Sequence, residues 1–235
     1  MKDIKNWDKN TWLASKKYIK AFCLFVESQK KLKKDTRILD IGCGRANIIS
    51  YLQKKYKFKK KPIGIDIIKH KDVKKNIKFF KLNSVKFLKK GYKFDLIIIK
   101  QSLHLMSKKD QILTLRLSAS SLNQTGKLIV FSLKTKNNQL PVFSLFKKKL
   151  KKSLNQDKKI LLNIKKILKL IKINYFKYNV KLKKSAYIDM IKNRYISCLL
   201  NLNDKEINSG VSEINLKYKN QIKFTDTLKC MTFTK

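Results

Sequence analysis

The chain is short of acid. Its 235 residues hold 15 Asp and Glu against 58 Lys and Arg, a formal net charge of +43. It is also poor in glycine (6), cysteine (4), proline (2) and histidine (2). Cys23, Cys43, Cys198 and Cys230 form no C-x-x-C pair, and with so few histidines a zinc site built on spaced Cys/His pairs is not expected. In a reducing compartment these cysteines are thiols. No apolar run approaches the ~18 residues a membrane-spanning helix needs. The longest, such as Ala21–Val26 and Leu96–Ile99, are the size of a strand or half a helix. The first residues, Met1 to Trp7, lack an apolar stretch, so no secretory signal is expected and the cytoplasm is the expected location. What is present is apolar bulk: 43% hydrophobic and 10% aromatic residues, enough to bury one sizeable core. The length suits one domain, or one domain with an inserted cap.

The charge has two readings. Of the basic residues 54 are Lys and only four are Arg (Arg37, Arg45, Arg116, Arg194), while Ile (27) and Asn (18) are abundant and Ala (5) is scarce. Lys, Asn and Ile share A/T-rich codons, so codon drift can produce a solvated lysine surface with no partner at all. Phosphate recognition usually draws on the forked donors of Arg, which are nearly missing. Drift does not account for the shortage of Asp and Glu. An acidic partner therefore stays open as the second reading: RNA, an acyl carrier protein or an anionic membrane surface.

Along the chain, residues 8–31 read as a helix, with Trp12, Ile19, Phe22, Phe25 and Val26 on one face. Short apolar runs then alternate with helical periods. Arg37–Ile41, Pro62–Ile67, Ile77–Leu82, Phe94–Ile99 and Lys127–Leu133 are strand-like. Arg45–Tyr56, a basic segment at Lys69–Lys75, Ser84–Lys90 and Ser107–Leu122 are helix-like, the last opened by a capping box at Ser107 and Asp110. Phe94–Ile99 is apolar throughout, as a strand buried on both faces must be. This alternation with short links predicts a doubly wound, mostly parallel α/β sheet. In 134–174 a basic amphipathic helix is expected, its stripe formed by Ile160, Ile164, Ile167 and Ile171. Either it caps the sheet domain or it docks on an acidic partner or membrane. Residues 175–183 and Ile222–Thr234 return as strands, with helices at Ala186–Leu200 and Asp204–Tyr218 between them.

The chemistry concentrates where the first strand turns into a helix, in Ile38-Leu39-Asp40-Ile41-Gly42-Cys43-Gly44-Arg45-Ala46. Two close glycines let backbone approach a ligand. A carboxylate should then end the next strand, about 20 residues on, to hold ribose hydroxyls. Asp66 does so in Gly64-Ile65-Asp66-Ile67, 22 positions after Gly44. The plain alternative is an ordinary α/β turn with an incidental Asp.

Over residues 34–133 these motifs resemble the class I S-adenosylmethionine-dependent methyltransferases, in particular the small-molecule group with an "LDIGCG" first motif (methyltransferase type 11-like). Ile38–Gly44 resembles the first motif and Gly64–Asp66 the second. Phe94–Ile99 with Ser102–Met106 resembles the fourth strand and its loop, and Thr125–Val130 the entry to the fifth. The resemblance implies a Rossmann-like seven-stranded sheet ending in an antiparallel C-terminal strand, with a helical cap insertion. One domain is expected, arranged as an N-terminal helix (1–33), a cofactor-binding core (34–133), a basic cap (134–174) and C-terminal strands and helices (175–235). It implies S-adenosyl-L-methionine as cofactor, held by Asp40, Gly42, Cys43, Gly44, Asp66, Ile67, Asn83, Ser84 and Lys100. Two departures stand out: Ala46 replaces the third glycine of the loop, and Asn83 replaces the usual Asp near the adenine amine.

His104, after the fourth strand, is the candidate general base, with a packed loop histidine as the plain alternative. His70 lies among lysines and is expected at the surface. Tyr18 either closes over the cofactor or packs in the core, and Arg194 and Tyr195 are candidates for the acceptor side. The expected activity is methylation of a small metabolite or a carrier-bound acid. RNA methylation and a non-catalytic binding module are the alternatives. Lys100-Gln101-Ser102-Leu103 lacks the Asp/Asn-Pro-Pro-aromatic motif of base-amine methylation, and no Pro-Cys pair offers a nucleophile for pyrimidine C5.

Overall fold

The structure, a computed structural model, describes residues 10–235 apart from the side chain of Ile167. The first two residues of the expected N-terminal helix, and the segment read for a secretory signal, lie outside the described residues. Seven strands, β1 (Ile38–Ile41), β2 (Ile63–Asp66), β3 (Lys78–Lys81), β4 (Phe94–Lys100), β5 (Leu122–Leu133), β6 (Lys169–Lys183) and β7 (Gln221–Thr234), form one sheet. Their order is β3-β2-β1-β4-β5-β7-β6. Strands β1 to β5 pair in parallel, and β7 runs antiparallel to both β5 and β6. This is the Rossmann-like α/β arrangement that the alternation of short apolar runs predicts. All four residues of β1 are buried, as are Leu96 to Ile99 of β4, because both strands carry helices on both faces.

Among the described residues seven α-helices flank the sheet: α1 (Lys16–Gln29), α2 (Asn47–Tyr56), α3 (Ser84–Leu88), α4 (Lys108–Ser120), α5 (Ser144–Ile167), α6 (Lys184–Lys192) and α7 (Asp204–Lys217). Side chains alternate across the strands, so two hydrophobic layers form. Ile38, Leu96, Ile98 and Phe131 pack with α1, α2, α6 and α7 on one face. Leu39, Ile97, Ile99 and Val130 pack with α3 and α4 on the other. Helix α5 belongs to both. Its Phe146, Leu150 and Leu154 join the first layer, while Leu161 and Ile164 join the second. With 24 residues it is roughly 36 Å long, so it passes from one face to the other. On the way it contacts the 3₁₀ turn Leu103–Leu105 that follows β4. It therefore straps the C-terminal ends of the central strands. Among the described residues, no helix is long and apolar enough to cross a membrane.

Several local expectations are corrected. Lys69–Lys75 is not helical; it is a chain of turns held by the ion pair of Arg45 Nε with Asp72 (2.9 Å) and by the Lys74 amide on the Arg45 carbonyl (3.3 Å). The basic helix stops at Ile167, and Ile171 already lies on β6, half exposed. Ala186–Leu200 is not one helix: α6 ends at Lys192, Arg194 takes a left-handed φ of 52°, and a 3₁₀ turn at Ser197–Leu199 follows. The N-terminal helix starts at Lys16, capped by the Ser15 side chain, after a 3₁₀ turn at Trp12–Ala14. The turn read at residues 123–126 is absorbed into β5, as an irregularity in its pairing with β4.

Candidate functional site

The loop after β1 is shaped by its neighbours. The amides of Gly42 and Cys43 both donate to the Ile65 carbonyl (2.9 and 3.1 Å), which draws the loop over the end of β2. Gly42 has φ +72°, and a Cβ there would lie 2.4 Å from the Cβ of Ser102. Ser102 in turn donates from Oγ to the Ile41 carbonyl (2.9 Å). The loop after β4 thus locks the glycine loop, and only glycine allows that approach. A Cβ on Gly44 would meet nothing within 4 Å, so the backbone there faces open space. Ala46 is the N-cap of α2, with a left-handed φ of 59°. The Cys43 side chain turns inward, into room left by Gly64, and burial raises its pKa. Its thiol donates to the Gly44 carbonyl (3.8 Å).

Asp66 accepts hydrogen bonds from the amides of Gly44 (Oδ2, 2.9 Å) and Ile68 (Oδ1, 3.0 Å). A carboxylate offers about four acceptor positions. One on each oxygen remains, which matches a pair of ribose hydroxyls. Beside it Ile67 is 66% exposed, an apolar platform next to the carboxylate. The open backbone, the half-used carboxylate and this platform together fit a nucleoside such as that of S-adenosylmethionine. Asp40 lies beneath the loop, almost fully buried. Burial pushes its pKa up to about 7, against the Lys100 ammonium that lowers it and Asp66 that adds to the rise.

The other predicted positions fall less simply. Asn83 is exposed and caps α3, its Oδ1 accepting from the Lys86 amide (2.8 Å). The Ser84 hydroxyl is buried against that of Thr114 (2.6 Å), joining α3 to α4. Neither side chain is joined to the glycine loop or Asp66 by a hydrogen bond. The Lys100 ammonium sits over the rings of Tyr18 and Phe22 (5.5 and 5.4 Å to their centroids) and lowers the pKa of both Asp40 and Asp226. Tyr18 is a core residue, packed on Phe22, Phe176 and Tyr178.

A cleft opens past the end of β4, under α5. Its empty space, counted with the solvent at its mouth, is about 840 Å³. Leu13, Leu133, Leu140, Leu150 and Ile196 give it apolar walls, and Gln101, His104, Arg194 and Tyr195 also line it. The expected acceptor-side residues therefore meet here. Gln101 and Arg194 both take left-handed backbone, φ 52° each. Burial lowers the His104 pKa, leaving a neutral imidazole at pH 7. Arg194 is already committed, to Asp204 (2.5 Å) and to the Leu202 carbonyl (3.1 Å). Sequence reasoning missed Asp157, a buried carboxylate on α5 that lines the same cleft. The signal was available: Asp157 is the one acid between residues 111 and 188.

The comparisons agree with this geometry. No curated protein matches the chain. Solved structures share the fold. A putative methyltransferase from an antibiotic biosynthesis pathway of Anabaena variabilis superposes with a TM-score of 0.63 at 10% identity, over 91% of this chain and 96% of that one. A SAM-dependent methyltransferase from Archaeoglobus fulgidus gives 0.55 at 15% identity, over 99% and 100%. A TehB-like SAM-dependent methyltransferase from Corynebacterium glutamicum gives 0.53 at 14% identity, over 98% and 94%. The family of methyltransferase domains matches residues 32–174, which takes in the glycine loop, Asp66 and the strap helix. That match spans more than half of the chain, and the chain belongs to the methyltransferase domain family as a class I S-adenosylmethionine-dependent enzyme.

Proposed function

We propose that the enzyme methylates a small molecule with an apolar body, a free metabolite or an acyl group on a carrier, bound in the cleft under α5. The observation that carries this reading is the cleft itself: apolar walls beside the end of β4, with a carboxylate turned into it. A phosphate backbone would meet that carboxylate as a like charge, whereas an acyl thioester brings no charge. The cofactor supplies an electrophilic methyl group on a sulfonium. The chain's own work is to hold the acceptor in line with that methyl and to keep water out. Asp66 and the glycine loop fix the nucleoside, and the α5 strap closes the acceptor side. His104, which lines the cleft and whose pKa burial lowers, takes a proton from a hydroxyl or amine acceptor on this reading. The test is a methyl-transfer screen of metabolite extract and total RNA with labelled cofactor. Label in small molecules supports the reading, and label confined to RNA overturns it.

One observation favours an additional acidic partner. A second concavity, between α5 and strands β6 and β7, is lined by Lys134, Lys136, Lys158, Lys165 and Lys229 with no acid among them. Burial and the neighbouring Lys165 lower the Lys229 pKa, so these charges crowd one another. An anionic partner at this groove would relieve that repulsion, and its binding should weaken steeply with salt.

A further inference from the structure

The acceptor cleft holds one carboxylate that the fold does not use. Asp157 sits on α5 where the helix crosses from one hydrophobic layer to the other, between Leu154 and Leu161. It is 7% exposed and lines the cleft with His104 and Gln101. Among the described residues no group donates a hydrogen bond to it. Among the described residues no lysine stands close enough to lower its pKa, which burial pushes up to about 6. Arg194, the cation lining the cleft, is turned to Asp204 and the Leu202 carbonyl.

A buried carboxylate without a partner is costly, and leucine or serine at this helical position would avoid the cost. A carboxylate set in an apolar wall has a specific use. It accepts charge-assisted hydrogen bonds from a cationic nitrogen while the walls take up the rest of the molecule. On the reading that this cleft holds the methyl acceptor, we infer that Asp157 selects the acceptor class: a molecule with an amine on an apolar body, its ammonium bound by the Asp157 carboxylate as a recognition group and not as the atom that takes the methyl. Asp157 is here a specificity residue. It places the acceptor under α5 and takes no part in moving the methyl group.

The test compares two probes of one shape, 2-phenylethylamine and 2-phenylethanol, by calorimetry on the full chain with and without S-adenosylhomocysteine. The wild type should bind the amine at least about tenfold more tightly than the alcohol. Asp157→Asn should abolish that preference while keeping alcohol affinity within about twofold and S-adenosylhomocysteine affinity unchanged. Equal affinities in the wild type, undetectable amine binding, or an amine preference that survives in Asp157→Asn would each overturn the inference. The wild-type comparison needs no variant, so it stands even if the substitution disturbs folding. A wild type that binds no S-adenosylhomocysteine overturns the methyl-transfer reading instead, while the amine preference is still measured without cofactor.

Discussion

Replacing Asp157 by Asn should make the enzyme more stable at pH 8 and leave it nearly unchanged at pH 4.5. The side chain is 7% exposed, and burial moves its pKa from 3.8 to about 6. The folded state therefore favours the protonated acid. Its contribution to stability is fully present below the unfolded value and is lost as pH rises through about 6. At about 1.4 kcal/mol per pKa unit, the ionised carboxylate costs the folded protein about 3 kcal/mol at pH 8. Asn has the same shape and no charge, but its buried amide returns about 1 kcal/mol of that gain as desolvation. The net gain is about 2 kcal/mol, or roughly 4–8 °C in Tm for a chain of this length. Asp40, raised to about 7, tilts the wild-type profile in the same direction. It responds to Lys100 and Asp66 and not to Asp157, so it cancels between the two proteins. Thermal melts and urea titrations at the two pH values measure the difference. A variant equal to or weaker than the wild type at pH 8 would refute the account of the carboxylate, and so would a gain of equal size at both pH values.

Asp66→Ala should weaken S-adenosylhomocysteine binding by at least about tenfold in calorimetry, since it removes a charge-assisted acceptor and leaves the Gly44 and Ile68 amides without theirs. Unchanged affinity would remove Asp66 from ribose recognition. Gly42→Ala combines a left-handed backbone with a Cβ 2.4 Å from that of Ser102, so urea titration should show a loss of roughly 2–4 kcal/mol. Ala46→Gly should do the reverse, relieving the left-handed φ of 59° for a gain of about 1 kcal/mol in the same assay. His104→Ala should cost roughly 10²-fold in methyl-transfer rate with cofactor affinity intact, and a near-normal rate would return His104 to a packing role.

The parallel core was legible because its signals are local. Strands buried on both faces must be apolar throughout, and the Gly-Cys-Gly turn followed by Asp66 fixes two strand ends at once. What escaped the sequence depended on distant partners. Lys69–Lys75 has helix-forming composition, yet the Arg45–Asp72 ion pair holds that stretch in turns. Ile171 continues the helical spacing of Ile160, Ile164 and Ile167, but pairing of β6 with β7 captures the chain from Lys169 onward. Asn83 and Ser84 lie where the resemblance puts adenine contacts, and their side chains serve a helix cap and a helix–helix contact instead. The lining of the cleft under α5 was half legible. Arg194, one of four arginines, stands out by type and lines the cleft with its neighbour Tyr195, whereas Asp157 required knowing that α5 crosses the strand ends.

The net charge of +43 and the three aspartates buried among the described residues answer to different pressures. Among the described residues no lysine is buried. Apart from Lys100, set over the Tyr18 and Phe22 rings, and Lys229, whose pKa burial lowers, lysines added at the exposed surface cost the fold almost nothing, and composition can drift there. Asp40, Asp157 and Asp226 carry a desolvation cost that a neutral residue would avoid. An acid-poor chain keeps such residues only where something offsets the cost. For two of them the fold supplies it: Asp40 and Asp226 share Lys100 as counter-charge, and Asp226 also takes the Trp12 indole N–H at 3.0 Å, fixing the N-terminal turn that walls the cleft. Among the described residues Asp157 has neither counter-charge nor donor, and it opens onto the cleft under α5. On the proposed reading of that cleft a ligand offsets the cost, and this one carboxylate then says more about what the enzyme binds than its 58 basic residues do.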